Sequence, residues 1–200
     1  MINPEHLNDW SGYLSYKPTI IYKWLCEVEE DIVCIFSGNQ MGKNRTVAQF
    51  IFNSMLGLLP VPHRNVTPED SVRVIRFCSE ILPMSEDESE VKNTQYPAIR
   101  SIIPDGLIKN DVTIRKPQMS IIDRNGGKDI TIEYVSYSQS VQRQAGVQRR
   151  MIWIDESASK SFYEEQLPRL LKASSELRQR YGKGGAMLIV TLTPAQEYLG

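Results

Sequence analysis

Ser37-Gly38-Asn39-Gln40-Met41-Gly42-Lys43-Asn44 lies between the apolar run Ile32-Val33-Cys34-Ile35-Phe36 and a stretch where Val47, Phe50, Ile51, Ser54, Met55 and Leu58 recur at helical spacing. The run before it carries no polar break, which predicts a strand buried on both faces by helices. The stretch after it predicts a helix that ends before Pro60 and Pro62. Strand, tight loop and helix in that order suit a phosphate-binding loop. Such a loop needs small residues so that successive backbone N–H groups can turn inward, a helix N-terminus for positive potential, and a lysine for the terminal phosphates. Gly38, Gly42 and Lys43 supply these. The spelling departs from G-x-x-x-x-G-K-[ST] twice, because Ser37 takes the first glycine position and Asn44 takes the hydroxyl position that contacts magnesium. Thr46 does not replace that hydroxyl, since two residues further along a helix it points to nearly the opposite side.

Met151-Ile152-Trp153-Ile154-Asp155-Glu156 has the form of a short apolar strand that delivers two adjacent carboxylates at its C-terminal edge, where open α/β sheets bind ligands. Beside a phosphate loop, Asp155 is expected to hold Mg²⁺ through water, and Glu156 to orient and deprotonate an attacking water. The same pair also fits a solvated strand end. Leu188-Ile189-Val190-Thr191-Leu192-Thr193-Pro194 reads as another buried strand, ending in hydroxyls that either sit beside a terminal phosphate or cap local backbone.

Working outward, Trp10, Tyr13, Tyr16, Tyr22 and Trp24 cluster near Pro18, which is placed to open a helix running toward Glu30. Val72 to Cys78 reads as a strand, and Ser85-Glu86-Asp87-Glu88-Ser89-Glu90 as a solvated loop or helix start. Within 112–136, Ile121-Ile122 and Ile130-Ile132-Tyr134 flank Arg124-Asn125-Gly126-Gly127, which predicts an inserted antiparallel hairpin. Tyr163, Leu167, Leu170, Leu171, Leu177 and Tyr181 predict a helix that Pro168 kinks or restarts, closed by the glycines of 182–185. The alternation predicts an α/β fold with a mostly parallel central sheet flanked by helices. It divides into an N-terminal helical segment, 1–31, packed on a core over 32–200.

The chain of 200 residues is 41% hydrophobic and 24% charged, enough apolar material for one folded core. A net charge of -1 argues against a basic coat for nucleic acid, leaving a local patch as the means of meeting a polyanion. Between Arg143 and Lys183 nine basic residues stand against five acids, which fits either phosphate contact without sequence readout or a solvated helix face. Cys26, Cys34 and Cys78 form neither a C-x-x-C pair nor an even set, and His6 and His63 stand alone, so no disulfide framework or zinc site is indicated. No apolar stretch reaches the roughly 20 residues that cross a bilayer, and Met1 opens a polar segment. A soluble protein of a reducing cytosol with no membrane partner is the expectation.

The loop at 37–43, the Ile152-Trp153-Ile154-Asp155-Glu156 strand, Phe162-Tyr163-Glu164-Glu165-Gln166-Leu167-Pro168-Arg169-Leu170 and Thr191-Leu192-Thr193-Pro194 together resemble the ATPase domain of tailed-phage large terminases. The resemblance spans about 32–196. It implies a P-loop NTPase of the ASCE, RecA-like kind that binds ATP and Mg²⁺ and moves double-stranded DNA into a procapsid. It further implies a Walker A loop from Ser37 to Asn44 (Ser37, Gly38, Asn39, Gln40, Met41, Gly42, Lys43 and Asn44), a Walker B carboxylate at Asp155, a catalytic Glu156, and a coupling motif carrying Thr191 and Thr193. Arg143 resembles an arginine supplied to the γ-phosphate of a neighbouring subunit, with Arg149 and Arg150 as competitors. Asn44 would then face a metal-bound water through its side-chain carbonyl. Tyr16, Lys17 and Pro18 are the candidates for an adenine-binding element.

Partners implied by the resemblance are double-stranded DNA, the portal protein, the small terminase subunit and further copies of the chain in a ring, in the host cytoplasm at the procapsid portal. The chain ends just after the coupling motif, so a lid and nuclease domain are expected beyond it. Two competitors remain: a helicase-like nucleic-acid ATPase, which shares the Asp-Glu pair, and a nucleotide-binding interaction module that does not hydrolyse, motivated by Asn44.

Overall fold

A computed structural model of the chain describes residues 19–38, 42–61, 64–65, 73–80, 82–83, 93–123, 128–138, 148–181 and 186–193. Helix α1 (Ile20–Glu27) starts at Thr19, whose hydroxyl accepts the Tyr22 amide at 3.1 Å. Thr19 therefore supplies the helix start expected of Pro18, which lies outside the described residues. Strand β1 (Ile32–Phe36) leads through the loop to α2 (Lys43–Met55). There follow β2 (Val74–Ser79), α3 (Gln95–Arg100), a 3-10 turn (Asp105–Leu107), β3 (Ile108–Asn110), β4 (Gln118–Ile121) and β5 (Ile130–Ser136). Strand β6 (Met151–Asp155), α4 (Lys160–Tyr181) and β7 (Met187–Leu192) complete the order.

The strands form one 7-stranded sheet in the order β1-β7-β6-β2-β5-β4-β3. From β1 to β5 every neighbour runs parallel, and β4 and β3 are added antiparallel. The mostly parallel α/β sheet with its inserted hairpin is thus present, although the turn at 124–127 lies outside the described residues.

The alternation of side chains across the sheet divides the interior in two. Val33, Ile35, Ile75, Phe77, Trp153, Met187 and Ile189 pack with α1, α2 and α3 on one face. Ile152, Ile154, Leu188 and Val190 pack with Phe162 and Leu170 of α4 on the other. Strand β6 is buried at every position because it sits mid-sheet with helices on both sides.

Two elements depart from the sequence expectation. Strand β1 is not buried on both faces: it is the edge strand, and Ile32, Cys34 and Phe36 are exposed while Val33 and Ile35 are buried. An uninterrupted apolar run reads the same in sequence whether the sheet continues beyond it or stops. Helix α2, in contrast, is more buried than its amphipathic pattern predicts. Gln49 and Asn53 are both interior, with Gln49 Nε2 donating to Asn53 Oδ1 at 3.0 Å and Asn53 Nδ2 donating to the Tyr22 hydroxyl of α1. Asn53 thus finds a partner on another helix in place of water, while Gln49 Oε1 is buried without one among the described residues.

Helix α4 runs through Pro168 as one 22-residue element; among its described side chains Phe162, Gln166 and Leu170 are buried and Tyr163 and Leu167 half-buried, while those of Leu171, Leu177 and Tyr181 lie outside the described ones. Gln166 accepts from Arg76 Nη1 at 2.8 Å, and Arg76 also meets Glu133, which in turn accepts from Arg149 Nε at 2.9 Å. This network ties α4 to β2 and β5. The acidic stretch 85–90 and the glycines of 182–185 lie outside the described residues, as does most of the segment 1–31. No described helix is long and apolar enough to cross a membrane.

Candidate nucleotide site

Parallel pairing places the C-terminal ends of β1, β7 and β6 along one edge, with Phe36 beside Leu192 and Asp155 beside Thr191. The chain leaves β1 through α2 and crosses to β2, past β7 and β6, so the crevice at this edge is where a ligand meets the carboxyl ends of the strands. Gly42 caps α2 with φ 71°, a left-handed conformation that favours glycine and turns the chain from loop into helix. Lys43 is the first helical residue, and its side chain reaches across the edge to the end of β6.

There Lys43 Nζ lies 3.2 Å from Glu156 Oε1 and also donates to the Thr193 hydroxyl. Thr193 in turn gives Glu156 two bonds, from its hydroxyl to Oε1 at 2.6 Å and from its backbone N–H to Oε2 at 3.0 Å. Partial burial pushes the Glu156 carboxyl up, but the Thr193 bonds and Lys43 outweigh it and leave the group below its ordinary 4.5. Glu156 is therefore ionised at neutral pH. Its backbone sits at φ 64°, the one non-glycine residue with positive φ among those described, and its N–H is held by the Thr191 carbonyl at 2.7 Å. A left-handed glutamate costs about 1–2 kcal/mol, a strain often found where a side chain must be aimed. The Lys43–Glu156 pair itself is held weakly, because the Glu156 side chain is 51% exposed.

Asp155 is held differently. It is buried; Oδ1 accepts from the Thr191 hydroxyl at 2.7 Å and Oδ2 accepts from the Thr94 hydroxyl. Asn44 Nδ2 donates to the same Thr94 oxygen at 2.7 Å. Thr94 has one proton and gives it to the carboxylate, so Asn44 must present its N–H, which turns its carbonyl away. That carbonyl, Asn44 Oδ1, is buried without a hydrogen-bond partner. The resemblance implies Thr191 beside the nucleotide; in the structure its hydroxyl is fully buried under Asp155 and accepts from Trp153 Nε1 at 3.0 Å. It positions the carboxylate. Tyr137 adds a further hold, donating to the Asp155 backbone carbonyl, and burial pushes its phenol well up so that it stays a donor.

The oxygens at Asp155, a carboxylate with the Thr94 and Thr191 hydroxyls on it, are the hard donors that Mg²⁺ prefers. No group of three or more His, Cys, Asp or Glu among the described residues could hold a metal. One carboxylate with nearby neutral oxygens suits a Mg²⁺ that keeps most of its waters and arrives with phosphate oxygens.

Ser37 and Gly38 follow β1 directly, with the Ser37 amide bonded to the Leu192 carbonyl at 3.2 Å and its hydroxyl buried without a partner. Asn39, Gln40 and Met41 lie outside the described residues, as do Arg143, Pro194 and Tyr16, Lys17 and Pro18. Of the competing arginines, Arg149 is buried on Glu133, and Arg150 is buried with Nη2 on the Asn65 carbonyl at 2.8 Å. Neither side chain reaches the surface. Thr46, as its helical phase predicts, faces away, with its hydroxyl 3.4 Å from that of Thr19.

Thr94 is the site residue that sequence reasoning misses. A threonine just before a short helix reads as an N-cap. Here the Thr94 side chain makes no cap bond, and Asn93 Oδ1 instead accepts the Tyr96 amide at 2.8 Å. The one available signal is this Asn-Thr pair, two capping residues where one suffices.

The mostly parallel sheet, with Lys43 opening the helix after one strand and facing an Asp-Glu pair at the end of another with one strand between them, has the arrangement of a RecA-like α/β fold. No protein-family model and no curated protein sequence matches the chain. Solved structures do match it. The large terminase of a thermophilic bacteriophage superposes with a TM-score of 0.56 at 10% identity, over 97% of this chain and 39% of that one. The large terminase ATPase domain of Thermus phage P74-26 gives 0.56 at 13% identity, over 98% of this chain and 71% of that one. The first of these terminases in complex with ADP gives 0.52 at 13% identity, over 99% and 42%. The chain therefore has the fold of large terminase ATPase domains, and it spans about two-fifths of the length of the first terminase.

Proposed function

We propose that this chain is a Mg²⁺-dependent ATPase that powers the movement of double-stranded viral DNA into a procapsid. The observation that carries the reading is the meeting of Lys43 with the end of β6, 3.2 Å from Glu156, beside a buried Asp155 whose oxygens are already oriented. The likeness in fold to terminase ATPase domains supports it, and so does the ADP bound by one of them.

In this reading a nucleotide competes with Glu156 for Lys43. A half-exposed ion pair of this kind is worth at most about 1 kcal/mol. A triphosphate, with several negative charges and no carboxylate desolvation to share, draws the ammonium away from Glu156. Glu156 then keeps Thr193 and gains a free lone pair on Oε1 to take the proton of a water attacking the γ-phosphorus, as the bond from that phosphorus to the β,γ-bridging oxygen breaks. Mg²⁺ would supply charge neutralisation of the phosphates, held beside Asp155 and the Asn44 carbonyl. Thr193 touches both Lys43 and Glu156 and ends the strand adjacent to β6, so loss of the terminal phosphate is felt at β7. Arg143, supplied to a neighbouring copy in a ring, completes the site in this reading. Double-stranded DNA, the portal protein and the small terminase subunit are the partners of the working motor.

Phosphate release by the purified chain, measured with and without duplex DNA, tests the reading. Release above background that is abolished by Glu156→Gln supports it; nucleotide binding with no release in any assembly marks a binding module instead.

A further inference from the structure

The residue before α3 brings a hydroxyl onto the Asp155 carboxylate. Asn93, Thr94 and Gln95 are three successive side chains that dock on the sheet's carboxyl edge: Asn93 Nδ2 donates to Ser79 Oγ at 2.8 Å, Thr94 to Asp155 Oδ2, and Gln95 Nε2 to the Trp153 carbonyl at 3.0 Å. Asn93 and Gln95 are buried. They fix the backbone on either side of Thr94, and Asn93 takes over the capping bond that would otherwise occupy its hydroxyl. Thr94 is thus pinned between neighbours with its oxygen aimed at the carboxylate. Asn44, at the position where the loop lacks its usual hydroxyl, donates to that same oxygen at 2.7 Å.

We propose that Thr94 is the positioning residue that supplies, from the start of α3, the hydroxyl missing at Asn44, and that Asn44 and Thr94 act as one unit on the magnesium side of the pocket. The inference rests on the nucleotide reading above. The bond inventory supports it: the Thr94 oxygen donates once and accepts once, leaving one lone pair, while the proton it gives fixes Asp155 Oδ2. The arrangement also turns the Asn44 carbonyl away, where it lies buried without a donor. A buried carbonyl with no donor is costly unless a cation or its water reaches it.

Calorimetric titration with ADP, in Mg²⁺ and again in EDTA, separates this role from a structural one in the wild-type chain, Thr94→Val and Thr94→Ser. Loss of an outer partner of a metal site costs about 10–100-fold in metal affinity. Thr94→Val is expected to lose that factor in Mg²⁺ while its affinity in EDTA stays within about twofold of wild type, and Thr94→Ser is expected to regain the Mg²⁺ response. Equal binding of Thr94→Val and wild type in Mg²⁺ overturns the proposal, and so does an equal loss in EDTA. A wild-type chain that binds no ADP under either condition refutes the nucleotide reading and this inference with it; a wild-type chain whose Mg²⁺ response survives in Thr94→Val refutes the inference alone.

Discussion

Asp155 and Glu156 are neighbours in sequence and opposites in setting. Asp155 closes a strand buried at every position, with hydroxyls from β7 and from the start of α3 on its two oxygens. Glu156 steps out of the sheet in a left-handed conformation, half-exposed, and holds the buried Lys43 and the half-buried Thr193. One carboxylate is built to stay and the other to exchange partners. The strained backbone at Glu156 makes this possible, because a glutamate that continued the strand would point back into the α4 face.

The sharpest way to break this contrast is Glu156→Gln. Losing a general base lowers turnover by about 10²–10⁴-fold, while ATP affinity is expected to hold, since Lys43 no longer has a carboxylate to leave. Steady-state phosphate release together with a binding titration checks both halves. Lys43→Ala removes the mobile partner itself. Charge-assisted bonds to phosphate of about 1.5–3 kcal/mol translate into roughly 10–100-fold weaker nucleotide binding, read by fluorescence or calorimetric titration.

The fixed side is probed by Thr191→Val, which keeps the shape and deletes the hydroxyl. It leaves the Trp153 indole N–H and Asp155 Oδ1 short of a partner inside the sheet, and about 1–3 kcal/mol of stability should be lost in urea unfolding. The effect on stability should exceed that of Glu156→Gln, whose own side chain is half-exposed. Gly42→Ala is the mildest test: no atom stands within 4 Å of an added Cβ, so only the left-handed backbone opposes it, at about 1 kcal/mol in the same unfolding experiment.

How much of this was legible in the sequence follows from how far apart the interacting residues are. The loop at 37–44 and the strand at 151–156 carry their chemistry within a few residues, so spacing and periodicity place Lys43, Asp155 and Glu156 without a structure. The hairpin is legible for the same reason, its turn chemistry lying between its strands. Thr94 meets Asp155 across 61 positions, and its local context offers a helix cap that Asn93 in fact provides. The edge position of β1 is equally hidden, because Ile32, Cys34 and Phe36 are as apolar as the buried Val33 and Ile35. The burial of Arg149 and Arg150 depends on Glu133 and Asn65, distant in sequence, so beside Arg143 all of them look alike.

A crystal structure of the chain with a slowly hydrolysed ATP analogue and Mg²⁺ tests the division between the two carboxylates most directly. Lys43 Nζ is expected on a phosphate oxygen and away from Glu156, with the Thr191 bond to Asp155 unchanged. Nucleotide bound elsewhere, or bound here with the Lys43–Glu156 pair intact, would contradict the account.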